Sequence, residues 1–191
     1  FKSKKIKIIK NNQDIINKSD WIFLAVTPTV GNKILNNLRF NKNKMIISFI
    51  STINLTQLKK FTGLKSNIVR AIPLPPIALC KGPVPIYPPN SKVKKFFDKL
   101  GSVVEISNEK LSLNFWTTSA MMAPFYEFLY SLSNWLVKRG IKKENAQKYI
   151  SSLFLALSED AFNHRKNLKR LVRESQTPGG LNEQAIKDLR K

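Results

Sequence analysis

The first hundred residues alternate short apolar runs with helix-like segments, and this alternation constrains the fold more than any other feature of the sequence. Such alternation predicts βα units and a mostly parallel sheet. The run at residues 21–26 is apolar throughout, which is typical of a strand that helices cover on both faces. The predicted strands are residues 5–9, 21–26, 44–50, 67–71, 84–87 and 102–106. The predicted helices are residues 13–17, 30–38, 55–61 and 91–100.

The pattern becomes helical after about Asn108, with large apolar residues spaced three or four apart as far as residue 161. Gly140 is expected to end one of these helices, and a last short helix is predicted from about Asn182. The sequence thus predicts an α/β domain at residues 1–107 and an all-helical domain at residues 108–191.

The helical half carries more large apolar side chains than a small bundle can bury. We therefore predict that part of this surface meets another chain, while ordinary packing against the α/β domain remains the alternative. The residues concerned are Phe115, Trp116, Met121, Met122, Phe125, Tyr126, Phe128, Tyr130 and Trp135.

Composition narrows the class of protein. No apolar run reaches the roughly 18 to 20 residues that span a bilayer, and lysines interrupt the amino-terminal segment. A single cysteine excludes an intrachain disulfide, and His164 has no cluster of metal-ligating residues around it in the sequence. We expect a soluble, cytoplasmic protein without a metal site.

The net charge of +21 permits two interpretations. It could mark a surface that binds nucleic acid or an anionic membrane, or it could reflect a compositional bias toward Lys, Asn and Ile. The lysines are scattered along the chain, so we expect neither a nucleic-acid nor a membrane partner. Under both interpretations the positive field attracts phosphorylated cofactors and carboxylate substrates.

Three segments could carry chemistry. Ala25-Val26-Thr27-Pro28 ends a predicted strand, at the sheet edge where doubly wound proteins bind ligands. The segment from Arg70 to Pro76 contains three prolines, which predict a rigid, extended connection: either a wall beside a pocket or a simple linker. Thr177-Pro178-Gly179-Gly180 precedes a helix and could hold a carboxylate on backbone N–H groups. The alternative is a helix–helix turn with Asn182 as the N-cap.

In order and approximate spacing, these segments resemble those of the pyrroline-5-carboxylate reductases. That family has a strand ending Ala-Val-Lys-Pro, an Arg-Ala-Met-Pro-Asn-Thr-Pro segment, a Gly-Pro-Ala-Tyr helix start and a Ser-Pro-Gly-Gly-Thr-Thr loop. The third of these is similar to Ala123-Pro124-Phe125-Tyr126 here. The resemblance implies a Rossmann-type doubly wound sheet, an all-helical dimerisation domain, and hydride transfer from NADP(H) or NAD(H) to a cyclic imine that carries a carboxylate. It also implies a homodimer or a higher homo-oligomer.

The resemblance also implies roles for individual residues. Asn12 would lie near the adenosine end of the cofactor, and Ser48 would lie at the end of the next strand. Ala25, Val26, Thr27 and Pro28 would line the stretch from the pyrophosphate to the nicotinamide. The substrate carboxylate would be held by Thr177, Gly179, Gly180, Leu181 and Asn182, and Asn182 would meet the substrate nitrogen as the catalytic residue.

The sequence departs from the family pattern in four places. No Gly-x-Gly-x-x-Gly motif occurs, so we expect an incomplete sheet that belongs to a longer protein. Leu74 and Pro75 replace Asn-Thr in the proline segment, Asn182 replaces the second Thr of the loop, and Ala123 and Phe125 replace Gly and Ala. These changes affect the substrate side. A reductase or dehydrogenase of another small amino-acid-like substrate, and a non-catalytic dimeric or polyanion-binding relative, are therefore alternatives.

Overall fold

The computed structural model describes residues 6–65 and 67–191, except for the side chain of Lys166. The chain divides between Ala120 and Met121 into two compact units. The first unit contains α1 (Asn12–Lys18), β1 (Trp21–Leu24), α2 (Pro28–Leu35), β2 (Met45–Ser48), α3 (Leu55–Thr62), β3 (Ile68–Ala71), a 3₁₀ helix (Pro75–Leu79), β4 (Pro83–Tyr87), α4 (Ser91–Phe97), β5 (Ser102–Glu105) and α5 (Glu109–Ser119). The second contains α6 (Met122–Lys138), α7 (Lys143–Asn163), a 3₁₀ helix (Arg165–Asn167), α8 (Leu168–Glu174) and α9 (Leu181–Leu189).

The sheet follows the order of the sequence, β1-β2-β3-β4-β5. β1 pairs parallel with β2, β2 with β3, and β4 with β5, while β3 and β4 run antiparallel. The predicted α/β fold with a mostly parallel sheet, followed by a helical domain, is confirmed. The strand predicted at residues 5–9 is wrong for residues 6–9, which adopt no regular structure, and Lys5 lies outside the described residues.

Hydrophobic cores lie on both faces of the sheet. Ile46 packs on one face with residues of α1, α2 and α3, whereas its neighbour Ile47 packs on the other face with Val93 and Phe97 of α4. Both isoleucines are completely buried. Because successive strand residues point to opposite faces, a strand buried on both sides is apolar at most positions, and a polar residue there needs a partner, as Arg70 and Ser48 have. This packing explains the uninterrupted apolar runs in the sequence.

Asparagine side chains start five of the helices. Asn11, Asn54, Asn90, Asn108 and Asn167 each accept a hydrogen bond from a backbone N–H in the first turn of α1, α3, α4, α5 and α8, respectively. At Asn54 the Gln57 side chain also accepts from the Asn54 N–H, which completes a capping box. The many asparagines of this sequence thus serve as N-caps of its helices.

The proline segment corrects one prediction. An extended connection was expected as far as Pro76, but a 3₁₀ helix begins at Pro75. Proline fixes a φ that this helix accepts, and the first turn of a helix does not need the N–H groups that proline lacks. Two consecutive prolines are therefore compatible both with the start of a helix and with an extended chain.

A buried ion pair joins α5 to the sheet. The Arg70 guanidinium on β3 is 3 % exposed, and it donates to Glu109 Oε1 at 2.6 Å and to the Ser51 carbonyl at 2.7 Å. Glu109 Oε1 also accepts from the Leu55 N–H at 2.7 Å, at the start of α3. The Trp116 ring covers the guanidinium at 4.2 Å. Burial lowers the pKa of Arg70, while the hydrogen bond and charge of Glu109 act to raise it.

We expect Glu109→Ala to lower the free energy of unfolding by about 3 kcal/mol, because it leaves a buried guanidinium without its counter-charge. Urea unfolding followed by circular dichroism measures this change. Glu174→Ala is the matched control, since it breaks the exposed pair between Arg170 and Glu174 and should cost less than about 1 kcal/mol. Equal losses in the two variants would contradict a special role for the buried pair.

Gly101 is expected to tolerate no side chain. A Cβ at this position would lie 2.5 Å from the Gly82 carbonyl oxygen, which accepts from the Ser102 N–H. Gly101→Ala should therefore destabilise the protein by about 2 kcal/mol, through displacement of backbone at the β4–β5 edge. Gly63→Ala isolates the cost of a left-handed conformation, since Gly63 has a φ of +68° and open space around it, and should cost about 1 kcal/mol. A smaller loss at Gly101 than at Gly63 in thermal unfolding would disprove the steric explanation.

The second unit is built on α6 packed against α7, with Ala146 and Ile150 buried between them. The Phe154 ring meets Phe125 and Phe128 edge-on, at centroid distances of 6.0 and 5.5 Å. Many apolar side chains of this unit remain at least 36 % exposed in the single chain: Met121, Met122, Phe125, Tyr126, Phe128, Tyr130 and Trp135. Among the described residues, no helix has both the length and the apolar character needed to cross a bilayer.

Candidate functional site

The carboxyl end of β1 leads directly into α2. Ala25 and Val26 are exposed, Thr27 is the N-cap of α2, and Pro28 is its first residue. The Thr27 side chain makes no capping hydrogen bond, so the N–H groups in the first turn of α2 stay available to a ligand. An anion is the natural partner of such groups. This end of β1 therefore has the chemistry to hold a phosphate.

Asn12 lies at the first position of α1. Together with Ala25 and Val26 it lines a cavity of about 110 Å³, whose other walls are apolar residues of α1, β1 and α2. The structure thus brings together three of the residues predicted to contact the cofactor.

Ser48 occupies the last position of β2, where the resemblance puts it, but it is completely buried. Its hydroxyl accepts from the Ile50 N–H at 3.3 Å. Ser48 therefore shapes the turn after β2 in this structure, and a contact with cofactor stays a prediction.

The loop at residues 177–182, named here the carboxylate loop, connects α8 to α9. Gly179 has a φ of +72°, and a Cβ on Gly180 would lie 2.9 Å from the Thr177 carbonyl oxygen. Both glycines are therefore required by the shape of the loop. Gly180 is the N-cap of α9, so the alternative that made Asn182 the N-cap is wrong on that point.

The glycine N–H groups of this loop already have partners inside the chain. The Gly179 N–H donates to Glu183 Oε2 at 2.8 Å, and the Gly180 N–H donates to the Thr177 carbonyl at 2.8 Å. The first N–H groups of α9, beginning with those of Leu181 and Asn182, remain to meet an anion.

The Asn182 side chain is oriented by the loop itself. Its Nδ2 donates to the Ser175 carbonyl at 2.8 Å. Because a carbonyl only accepts, this bond fixes which side of the amide faces Ser175 and directs Oδ1 elsewhere. Asn182, the second residue of α9, therefore keeps Oδ1 as a hydrogen-bond acceptor.

Glu183 is the site residue that the sequence reasoning missed. It lies three residues after the N-cap Gly180, and a Glu at that spacing is a signal for a side chain that reaches back to the backbone. The Gly179 N–H, followed by the Lys187 ammonium, lowers the pKa of Glu183, so the side chain is anionic at neutral pH. Within the described part of the chain, no group of three or more His, Cys, Asp or Glu residues could hold a metal ion.

Two family models match the chain. Residues 110–191 match the model described as pyrroline-5-carboxylate reductase dimerisation, and residues 1–52 match the model described as NADP oxidoreductase, coenzyme F420-dependent. The compact units divide after Ala120, whereas the first of these models begins at residue 110. The predicted domain boundary between residues 107 and 108 stays a prediction.

Relatives and solved structures match along nearly the whole chain. The pyrroline-5-carboxylate reductase of Synechocystis is 24 % identical in an alignment that covers 94 % of this chain and 70 % of that protein. The Escherichia coli enzyme of the same name is 22 % identical, and the match covers 96 % of this chain and 72 % of that protein. The Plasmodium falciparum pyrroline carboxylate reductase with NADP bound has a TM-score of 0.80 at 24 % identity, and covers 95 % of this chain and 72 % of that one.

The Rossmann-like sheet, the helical domain and these matches define an NAD(P)-dependent oxidoreductase. Residues 110–191 match the dimerisation domain of the pyrroline-5-carboxylate reductases, and the chain is similar to enzymes of that name along nearly its whole length.

Gly180→Val tests whether the shape of the carboxylate loop matters for activity. The added side chain would collide with the Thr177 backbone and displace the start of α9, so we expect reductase activity to be lost. Steady-state kinetics measures the loss, and sedimentation should show an unchanged assembly. Gly140→Val is the control, because Gly140 has a φ of +93° but open space around it. Full activity in Gly180→Val would mean that the loop is a structural turn only.

Proposed function

We propose that the protein reduces 1-pyrroline-5-carboxylate to proline, as a step of proline biosynthesis, with NADPH or NADH as the hydride donor. The similarity to the pyrroline-5-carboxylate reductases of Synechocystis and Escherichia coli supports this substrate, and the Plasmodium falciparum structure with NADP bound supports the cofactor. The observation that carries the proposal is the orientation of Asn182, the second residue of α9, whose Nδ2 is held by the Ser175 carbonyl so that Oδ1 is left as an acceptor.

The carboxyl end of β1 would hold the cofactor. Thr27, Pro28 and the free N–H groups of α2 suit the pyrophosphate, while Ala25 and Val26 offer an apolar surface beside it. Asn12, which lines the same cavity as Ala25 and Val26, would meet the adenosine end. When bound, the cofactor would supply the hydride.

The carboxylate loop would hold the substrate. Its carboxylate would accept from the N–H groups of Gly179, Leu181 and Asn182, in the favourable field of the helix start. The N–H of the protonated imine would donate to Asn182 Oδ1. Thr177 and Gly180 would act through the backbone shape that brings these groups together.

Little acid–base chemistry is required. The protonated imine already carries its proton on nitrogen, so the hydride adds to the imine carbon and the π electrons of the C=N bond become the nitrogen lone pair. Catalysis then consists mostly of holding the imine carbon in reach of the hydride. A neutral amide acceptor such as Asn182 stabilises the N–H without removing its proton.

We propose that the active form is a homodimer or a higher homo-oligomer. The dimerisation-domain match and the exposed apolar side chains of the second unit support this assembly. The net charge of +21 would draw in both the anionic cofactor and the carboxylate substrate, and we expect no nucleic-acid partner.

Oxidation of NADPH by 1-pyrroline-5-carboxylate tests the proposal, with the protein expressed from its complete reading frame. We expect turnover by the wild type, and a fall in kcat of about 10- to 100-fold in Asn182→Ala, since a hydrogen bond to a charged group is lost. Asn182→Thr restores the residue type of the family pattern and should retain most of the activity.

The outcomes separate the parts of the proposal. Turnover of other cyclic imines without turnover of 1-pyrroline-5-carboxylate would overturn only the substrate. Wild-type activity that survives Asn182→Ala would overturn the role of Asn182. Absence of NADPH and NADH binding in equilibrium titrations would overturn the function as a whole.

A further inference from the structure

The carboxylate loop already binds a carboxylate, which belongs to its own chain. Glu183 Oε2 accepts from the Gly179 N–H at 2.8 Å, while Glu183 Oε1 lies 3.0 Å from the Lys187 ammonium. No other carboxylate accepts from the glycine N–H groups of this loop, since that of Gly180 donates to the Thr177 carbonyl. Glu183 thus occupies part of the site that the proposed function gives to the substrate carboxylate.

We infer that Glu183 is an internal competitor for the substrate carboxylate and sets the affinity of the site for it. This inference rests on the proposed function of the loop. Two carboxylates cannot share the Gly179 N–H, and two negative charges at hydrogen-bonding distance from one donor repel each other. The substrate would therefore bind the full loop only after Glu183 withdraws.

The geometry makes this withdrawal easy. The Glu183 side chain is 32 % exposed, so it can rotate toward solvent without breaking a packed core. Its partner Lys187 lies one turn further along α9, on the side away from Gly179, so release from Gly179 leaves the ion pair in place. On withdrawal, the Glu183 carboxylate replaces its hydrogen bond from the Gly179 N–H with hydrogen bonds from water, and it keeps its ion pair with Lys187.

Ordinary helix capping is the competing explanation. A Glu at the third helical position can serve only to satisfy a backbone N–H. The two explanations predict different changes in substrate binding. Removal of a mere cap loosens the loop and lowers KM only by the small amount that loss of one exposed negative charge gives. Removal of a competitor also frees the Gly179 N–H and lowers KM several-fold.

The KM values of Glu183→Gln and Glu183→Ala, measured in the holoenzyme, distinguish the two explanations. We expect KM for 1-pyrroline-5-carboxylate to fall by about three- to tenfold, the value of one competing hydrogen bond, with the change in KM rather than in kcat. Asp188→Asn is the matched control, because Asp188 is an exposed carboxylate of the same helix that pairs with Lys191 and is remote from the loop in sequence. Its KM should not change.

A binding measurement gives a second readout that needs no turnover. Acetate serves as the probe, and the amide resonance of Gly179 reports its binding by NMR. We expect acetate to shift this resonance at lower concentration in Glu183→Ala than in the wild type. Circular dichroism checks that each variant is folded, and Glu183→Gln replaces Glu183→Ala if the latter is not.

The two hypotheses fail in different ways. If the wild type does not reduce carboxylate-bearing imines, the proposed function fails, and the acetate titration alone decides the inference. If the wild type is active but KM is unchanged or raised in both Glu183 variants, Glu183 is a cap and the inference is overturned. Equal acetate titrations of Gly179 in wild type and variant would overturn it as well.

Discussion

The ion pair between Arg70 and Glu109 is the interaction on which the first unit most depends. One carboxylate oxygen accepts both from a guanidinium on β3 and from the first N–H of α3, and Glu109 itself begins α5. Three elements are therefore joined at one atom, in a place where water screens little. The pair also explains why α5 belongs to the same compact unit as the sheet, although its sequence pattern resembles that of the helices that follow.

Most of the fold could be predicted because buried strands and helices place apolar residues at characteristic spacings in the sequence. Strands covered on both faces are mostly apolar, and Ile46 and Ile47 show why, since each enters a different core. The proline segment was harder to predict, because the fixed φ of Pro75 suits a 3₁₀ helix and an extended chain alike. The failure at residues 6–9 shows that a short segment rich in isoleucine does not by itself specify a strand.

The candidate site could be predicted by segment but not by atom. Composition and order located the carboxyl end of β1 and the carboxylate loop, and the structure brings Asn12 beside Ala25 and Val26. The burial of Ser48 and the amide orientation of Asn182 depend on neighbours that are not adjacent in sequence, respectively the strands of the sheet and Ser175. Glu183 left a signal in its spacing from Gly180, but only the structure shows which N–H it reaches.

The asparagine caps have a consequence for behaviour in acid. An amide carries no ionisable proton, so the helix starts at Asn11, Asn54, Asn90, Asn108 and Asn167 keep the same hydrogen-bond acceptors from neutral to strongly acidic solution. Helices that begin on aspartate lose part of their capping as the carboxylate protonates. Much of the secondary structure of this protein is therefore anchored by groups that do not respond to protons.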